Sequence, residues 1–344
     1  KGIYVSTDNG GTWSASSSGL PGNGLNTYVG SVVANGSIIL ASATDNSTTT
    51  TMYRSTNLGV SWSPASNGLP AEFSTYSALF LDGTTIYAGG PYIYKTTNNG
   101  DSWTQADNGI PNYSGVSGIA ANGSLVFAAA QNYLYRSTNG GSSWAPAAGG
   151  LPFMNFVSVL VSGSIVYAGT IANGVYKSSD QGLNWTQVVS GLKARDMSGF
   201  IVDGTMLYGN GNSIFKTNDE GGVWTNVRGN MKDSCSQPTL VYVNGSILFA
   251  REFPSQGLLR STDGGTTWIQ SGNGLPPFGA VQSIVSSGSA LLTAMNGRVY
   301  KSTNNGDTWF QTDNSIVEFV YFDFVTRIGN TVYAHGMTVY RTTD

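Results

Sequence analysis

Three short runs in the second half of the chain carry residue types suited to acid–base or anion-binding chemistry. They read KARD up to Asp196, KDSC from Lys232 and REF from Arg251. Their carboxylates are of the type that serves as general acid or general base. Their basic residues suit recognition of an anionic group. The sequence leaves two interpretations open, a ligand or partner site and local salt bridges that order long connections.

The candidate ligand-binding residues are the irregular charged and aromatic residues of these runs and of the last connection. We predict no catalytic residue, metal ligand or cofactor. One histidine argues against a histidine-rich metal site, and we expect it in a loop. Cys235 has no visible catalytic partner. The candidates are Arg195, Asp196, Lys232, Asp233, Arg251, Glu252, Phe253, Tyr321 and His335.

All eight tryptophans end copies of one pattern, Ser/Thr-x-Asp/Asn-x-Gly-x-x-Trp, in which x is any residue. Successive tryptophans are 39 to 49 residues apart, and four of the seven spacings are 41. A period near 40 residues is typical of a propeller or a repeat array. The Asp or Asn and the Trp of the copies are Asp8 and Trp13, Asn57 and Trp62, Asn98 and Trp103, Asn139 and Trp144, Asp180 and Trp185, Asp219 and Trp224, Asp263 and Trp268, and Asn304 and Trp309.

Each copy has the composition of a tight structural turn. Ser, Thr, Asp and Asn side chains bond nearby backbone groups in turns, and we expect the Trp to cover the hydrophobic face of its blade. A Lys or Arg precedes each copy from the second onwards, for example Arg54 and Lys177. A basic residue that recurs in this way indicates a solvated or strand-capping position. We therefore predict a structural role for the boxes and not a catalytic one.

Four short strands make up each repeat. The first two are joined by a dipeptide such as Asn35-Gly36 or Asp82-Gly83, a strong hairpin signal. Repeated four-stranded units predict an all-β fold, a β-propeller, with the box in the hairpin between the third and fourth strands. We predict one domain over residues 1–344 with eight blades, closed by C-terminal strands that join the N-terminal ones. Seven blades is the alternative, because TVYRTTD at the end repeats the GIYVSTD strand of the start.

The copies resemble the BNR/Asp-box repeats of sialidases, xyloglucanase-type glycosidases, the sortilin ectodomain and photosystem II stability/assembly factor-like proteins. The resemblance implies a propeller whose boxes lie at the periphery, away from the binding face. It does not imply one activity, because these families differ in function. The Arg-Ile-Pro-type motif of sialidases is absent. Arg195, Arg228, Arg251 and Arg298 do not form the arginine-rich motif of the assembly factors.

The charge and composition of the chain limit the kinds of partner that it can bind. The net charge is −3, only 10% of residues are charged, and no basic stripe is present, so the electrostatic term of nucleic-acid binding is missing. No apolar run approaches the roughly 18 residues that span a bilayer, so we expect no membrane insertion. The Ser, Thr, Asn and Gly richness favours an exported, extracellular or cell-surface protein. Because the chain opens at Lys1 directly in a strand-like run, we expect either that a targeting segment was removed or that the chain is a piece of a longer protein.

By analogy with other propellers, ligands lie on the face opposite the boxes. The irregular charges fall on the connections of that face. We therefore expect a non-catalytic binding or scaffold module that recognises carbohydrate or a protein partner through this face. The alternative is a sialidase- or xyloglucanase-like glycoside hydrolase, with Asp196, Asp233 and Glu252 as the pool of carboxylates.

Overall fold

The strands of the chain form eight four-stranded antiparallel sheets arranged in a ring. None of the described residues forms a helix long and apolar enough to cross a membrane. The computed structural model describes residues 3–21, 27–44, 50–70, 78–111, 115–130, 132–147, 149–192, 196–231, 238–252, 257–277, 279–312 and 324–336.

The strands follow chain order within and between blades, except that the chain begins inside the last blade. The first two strands, β1 (Tyr4–Ser6) and β2 (Ser14–Ala15), belong to blade 8. Blades 1 to 4 are β3 (Tyr28–Asn35), β4 (Ile38–Thr44), β5 (Thr50–Ser55) and β6 (Ser63–Pro64); β7 (Ala78–Asp82), β8 (Thr85–Gly89), β9 (Ile93–Thr96) and β10 (Thr104–Gln105); β11 (Val116–Asn122), β12 (Leu125–Ala130), β13 (Tyr133–Ser137) and β14 (Ala145–Pro146); and β15 (Phe156–Ser162), β16 (Ile165–Thr170), β17 (Val175–Ser178) and β18 (Thr186–Gln187).

The second half of the chain continues in the same way and returns to the start. Blades 5 to 7 are β19 (Met197–Asp203), β20 (Met206–Gly211), β21 (Ile214–Thr217) and β22 (Thr225–Asn226); β23 (Thr239–Asn244), β24 (Ile247–Arg251), β25 (Leu258–Ser261) and β26 (Ile269–Gln270); and β27 (Ile284–Ser287), β28 (Ala290–Met295), β29 (Arg298–Ser302) and β30 (Phe310–Gln311). Blade 8 consists of β31 (Phe324–Ile328), β32 (Thr331–His335), β1 and β2.

Both ends of the chain build blade 8. Strand β32 pairs antiparallel with β1, so that Val5 lies opposite Tyr333. The predicted closure by C-terminal strands joining N-terminal ones is confirmed, and so is the preference for eight blades over seven. The repeated TVYRTTD strand at 338–344 lies outside the described residues.

A buried apolar cluster joins each pair of consecutive blades, and each of the eight clusters contains one box tryptophan. Each Trp covers the face of its own blade that packs against the preceding blade, so that consecutive sheets pack face to face. The clusters contain Trp62 (blades 8 and 1), Trp103 (1 and 2), Trp144 (2 and 3), Trp185 (3 and 4), Trp224 (4 and 5), Trp268 (5 and 6), Trp309 (6 and 7) and Trp13 (7 and 8).

Hydrogen bonds also join several of these tryptophans to the preceding blade. The Trp62 indole Nε1 donates to the Ser16 carbonyl at 2.7 Å, and the equivalent bond from Trp103 reaches Ala65 at 2.8 Å. The Trp103 backbone N–H also donates to the Asn67 carbonyl at 2.8 Å, in the NGLP loop that leaves blade 1. The recurrent loop therefore docks on the next box, and the repeats are joined through polar as well as apolar contacts.

A substitution at Gly68 tests the contact between this loop and the box of the next blade. Its φ is +89°, and a Cβ built on it would overlap the Trp103 carbonyl oxygen. We expect Gly68→Ala to lower the free energy of unfolding by about 1–3 kcal/mol more than Gly83→Ala. Gly83 is the matched control, because its φ is +57° and no atom lies within 4 Å of its Cβ position. Urea denaturation of both variants measures the difference, and equal losses would contradict the docking.

The first strand of each blade lies nearest the ring axis. The Ser117 and Ser158 hydroxyls donate across to the first strand of the next blade, at Phe156 (3.3 Å) and Met197 (3.0 Å), whereas the fourth strands are exposed. Antiparallel order puts two sets of connections on each face. The box face carries the boxes and the turns between first and second strands. The variable face carries the connections between second and third strands and those leading to the next blade.

Candidate functional site

On the box face, the side chains of each box form hydrogen bonds within the box. In the box of blade 6, the Asp263 carboxylate accepts hydrogen bonds from the Thr267 backbone N–H (2.9 Å) and hydroxyl (2.7 Å) and from the Ser261 hydroxyl (2.8 Å). The same Ser261 hydroxyl accepts from the Gly265 N–H at 2.8 Å. Bonds from the Thr267 backbone and side chain and from Ser261 lower the pKa of Asp263 to about 2. This carboxylate is held as a turn acceptor, as the sequence indicated.

Asparagine fills the same place in other boxes. In blade 7 the Asn304 Oδ1 accepts from the Thr308 N–H at 3.0 Å, and its Nδ2 donates to the Thr308 hydroxyl at 2.9 Å. The amide reverses the direction of one bond, because the hydroxyl can donate or accept. Asp and Asn are therefore interchangeable in geometry but differ in charge.

This difference predicts an acid-dependent effect of Asp263→Asn. A carboxylate whose pKa is about 2 in the folded state and about 4 in the unfolded chain stabilises the fold above pH 4. That contribution is lost as the pH falls towards 2. We expect the variant to be less stable than the parent at pH 6 and equal to it near pH 2, in urea denaturation at each pH. A difference that stays constant across this range would contradict the role of the charge.

The basic residues that precede the boxes reach the box of the next blade. Lys177 Nζ lies 2.7 Å from Glu220 Oε2, and Arg54 and Arg260 pair with Asp101 and Asp307. Where no acid is present, Lys95 Nζ donates to the Gly140 carbonyl at 2.7 Å. These residues tie neighbouring blades, which goes beyond the solvated or strand-capping position that we predicted.

On the variable face, Asp196 lies just before β19 and orders two connections. Its Oδ1 accepts from the Ala172 N–H at 2.6 Å, and its Oδ2 accepts from Asn212 Nδ2. Ala172 has a φ of +72°, an uncommon conformation for a residue with a side chain. Asp196 therefore joins a connection of blade 4 to one of blade 5, and its predicted role in ligand binding stays a prediction.

Arg251 and Glu252 are adjacent at the end of β24 and point to separate partners. The Arg251 guanidinium donates to Gln282 Oε1 in the connection to blade 7. Glu252 is 9% exposed, and its Oε2 accepts from Gln270 Nε2 at 3.4 Å. Its backbone N–H donates to the Gly257 carbonyl at 2.9 Å. The pair thus connects the second, third and fourth strands of blade 6 with the next blade.

His335 is the last residue of β32, not a loop residue as we expected. It is buried and stacks on Phe324, with ring centroids 5.8 Å apart and planes 16° apart. Its Nε2 lies 3.2 Å from the Thr326 hydroxyl. Burial lowers the pKa of His335 to about 4, opposed in part by a hydrogen bond with the backbone of Val29 in blade 1. The imidazole is therefore neutral at physiological pH and lies at the seam where the ring closes.

Five of the predicted ligand-binding residues lie outside the described part of the chain, as does Cys235. They remain predictions from sequence. The five are Arg195, Lys232, Asp233, Phe253 and Tyr321.

A pocket of about 310 Å³ opens on the variable face between blades 6 and 7. Its wall is contiguous with the Arg251–Glu252 pair, because Glu252 bonds Gln270 and Gly257, and Arg251 bonds the neighbour of Val281. The volume is that of a small-ligand site with apolar walls and a few polar groups. Residues that line it include Gly257, Gln270, Asn273, Pro276, Val281 and Met295.

The described lining of the pocket carries two polar side chains. Among the described residues that line it, the polar side chains are the amides Gln270 and Asn273, and none is titratable. Glu252 is not among the lining residues, but it bonds two of them, Gly257 and Gln270. Within the described ranges, no group of three His, Cys, Asp or Glu side chains is placed to hold a metal ion. The arrangement can donate and accept hydrogen bonds and cover an apolar surface.

Two of the predicted ligand-binding residues, Arg251 and Glu252, lie beside this pocket, but none of the residues that line it was predicted. Gln270 and Gly272 follow a box tryptophan in a recurrent part of the repeat, so that nothing in the spacing separates them from their structural equivalents. The distinguishing signal was the double proline at Pro276 and Pro277, where most of the recurrent NGLP loops have one proline.

Comparisons with known proteins agree with this architecture. Residues 4–15 match the BNR/Asp-box repeat family model. No curated protein sequence matches the chain. A computationally designed protein, Ika8, aligns with a TM-score of 0.64 at 10% identity, over 90% of this chain and 94% of that chain.

Two natural proteins have similar structures. YCF48 bound to D1 peptide aligns with a TM-score of 0.56 at 12% identity, over 76% of this chain and 90% of that chain. The extracellular domain of the putative hybrid two component system BT4673 from B. thetaiotaomicron aligns with a TM-score of 0.56 at 13% identity, over 79% of this chain and 37% of that chain. At these identities the likeness shows the fold alone.

Proposed function

We propose that this chain, an eight-bladed β-propeller of BNR/Asp-box repeats, is a non-catalytic binding module that takes its ligand on the variable face. The pocket between blades 6 and 7 carries the proposal, because its described lining is concave, apolar and amide-bearing and holds no titratable side chain. On the box face, the basic residues before the boxes bond one blade to the next, whereas the connections of the opposite face vary from blade to blade.

The ligand class at this pocket is carbohydrate or a segment of a protein partner. Amide side chains beside apolar walls suit both. The YCF48 structure with a bound D1 peptide supports the protein alternative, since it is a propeller of similar fold that binds a peptide. The low charge and the similarity to an extracellular domain support an exported or cell-surface location.

A glycoside hydrolase is the weaker candidate. Of the three carboxylates considered, Asp196 is bonded through both oxygens to the backbone of Ala172 and the side chain of Asn212, and Glu252 is almost buried. They belong to blades 5 and 6, and no described geometry sets them across one cleft. We therefore expect Asp196→Asn and Glu252→Gln to leave any slow glycoside hydrolysis at its background rate.

Filling the pocket tests the binding proposal. Gly272 lines it, and no atom lies within 4 Å of a Cβ built at this position. We expect Gly272→Phe to fill the pocket without disturbing the fold and to weaken ligand binding at least tenfold, which is about 1.4 kcal/mol. Binding of the purified chain to a glycan array and to a peptide array measures the effect.

Thr186→Phe is the matched control. Thr186 directly follows Trp185 on the exposed fourth strand of blade 4, as Phe310 follows Trp309 in blade 7. The control adds the same aromatic ring where this fold already tolerates one, far from the pocket. Equal binding by both variants and the parent would place the ligand elsewhere and overturn the assignment of the pocket.

A further inference from the structure

Three large apolar side chains are exposed together on the variable face of blades 3 and 4, away from the pocket. Tyr133 begins β13 and is 41% exposed, Phe153 lies in the connection between the two blades and is 67% exposed, and Ile171 follows β16 and is 49% exposed. The Tyr133 and Phe153 rings meet edge to face, with centroids 5.1 Å apart and planes 72° apart. This aromatic platform, Tyr133, Phe153 and Ile171, has a defined ring geometry.

The backbone holds the platform to both blades. The Met154 N–H donates to the Asn132 carbonyl at 3.2 Å in blade 3, and the Ile171 N–H donates to the Asn155 carbonyl at 3.1 Å. Asp196 bonds Ala172 from the side of blade 5. The described residues that carry the rings are therefore held by the fold in the absence of a ligand, which lowers the entropic cost of binding.

The platform is uncharged. Its three connections, residues 131–133, 147–155 and 171–174, contain no Asp, Glu, Lys, Arg or His. Their polar side chains are amides, and those of Asn132 and Asn155 belong to exposed residues. These connections themselves offer no opposite charge to an anionic ligand. The charge described beside them, the Asp196 carboxylate, is already bonded to Ala172 and Asn212. A neutral ligand with an apolar face and a rim of hydroxyl groups fits this surface better. Its apolar face can pack on the rings, and its hydroxyl groups can bond the flanking amides.

We propose that the aromatic platform binds neutral pyranose sugars, with an apolar sugar face on Phe153 and the hydroxyl groups directed to the flanking amides. The inference rests on the proposed binding function and names a ligand class and a second site on the same face. An extended peptide fits less well. Peptides that add to a sheet edge need free main-chain groups, and the N–H groups of Met154 and Ile171 are already bonded within the platform.

Calorimetric titration of the purified chain tests the inference. The neutral probes are cello-, xylo-, manno- and galacto-oligosaccharides, the charged probes are oligogalacturonides and sialyllactose, and the peptide probe is a set of apolar decapeptides. We expect the parent to bind at least one neutral series. Phe153→Ala should weaken the affinity about tenfold or more, because it removes an aromatic side chain that anchors the ligand.

Phe153→Trp retains an aromatic ring and should keep the affinity within about threefold. Phe310→Ala should leave the affinity unchanged. Phe310 is the matched control, an exposed aromatic (48%) on the outer edge of blade 7.

The outcomes separate this inference from the proposed function. Neutral-sugar binding that is lost in Phe153→Ala and kept in Gly272→Phe supports the platform. Binding that is lost only in Gly272→Phe overturns the platform and leaves the binding module standing. Binding that neither variant changes overturns both the platform and the assignment of the pocket. A parent chain that binds only the charged sugars, only the peptides or none of the probes overturns the neutral-sugar inference.

Discussion

Replacing Trp224 with alanine should lower the free energy of unfolding by about 3–5 kcal/mol, as for other buried tryptophans. Trp224 is 2% exposed and packs between blades 4 and 5 against Tyr167, Leu207 and Phe215. Its Nε1 donates to the Val188 carbonyl at 3.0 Å. The substitution removes both the largest fully buried side chain of the described residues and one polar link between the blades. Urea denaturation followed by tryptophan fluorescence and circular dichroism measures the loss.

Two further variants show that the effect belongs to the junction. Trp224→Phe retains a ring in the cluster and should lose less than Trp224→Ala. Phe310→Ala removes an exposed ring and should change the stability by no more than about 0.5 kcal/mol. If Trp224→Ala were as mild as Phe310→Ala, the box tryptophans would not be the elements that join the blades.

Tyr333→Ala should have an effect of similar size, about 3–5 kcal/mol by analogy with other buried aromatics, and should open the ring at its seam. Tyr333 is fully buried between blades 8 and 1, against Ile3, Leu20 and Trp62. Its hydroxyl donates to the Leu58 carbonyl in the box of blade 1 at 3.1 Å. Because blade 8 is assembled from both ends of the chain, loss of this contact also frees β1 from the remainder of the molecule. Hydrogen exchange of the β1 and β32 amides, together with urea denaturation, measures the result.

Tyr167 provides the matched control, because it occupies the equivalent position in blade 4 within a continuous stretch of chain. Tyr167→Ala should cost a comparable free energy but leave exchange of β1 slow under native conditions. Tyr333→Phe removes only the hydroxyl and should lose about 1 kcal/mol. Protection of β1 that is equal in Tyr333→Ala and Tyr167→Ala would contradict closure at blade 8.

The fold could be predicted because each repeat contains the residues that form its own turns. The Asp or Asn of a box bonds the backbone four residues later, as between Asn57 and Ser61 at 2.9 Å, and the turn pairs such as Asp82-Gly83 form where the sequence places them. Eight tryptophans at a near-constant period then require eight equivalent junctions. The position of each Trp at the preceding blade could not be read from its own repeat, since it depends on the angle between sheets.

The site was predicted less completely, because charge and irregularity do not distinguish a ligand contact from a structural one. Asp196 stood out as an irregular acid, and the structure shows it holding the connection that contains Ala172. Phe153 was visible as an aromatic residue after a recurrent proline, yet its exposure and its contact with Tyr133 arise only when blades 3 and 4 are packed. The pocket near Glu252 likewise depends on how three strands of blade 6 meet blade 7.

The most direct test of a binding module on the variable face is a glycan-array screen of the parent chain beside the Phe153→Ala/Gly272→Phe double variant. Both substitutions are on this face and leave the boxes intact. We predict selective binding of one or a few neutral glycans by the parent and loss of that binding in a folded double variant. Selective binding that is equal in the two proteins, or hydrolysis of the captured glycans by the parent, would contradict it.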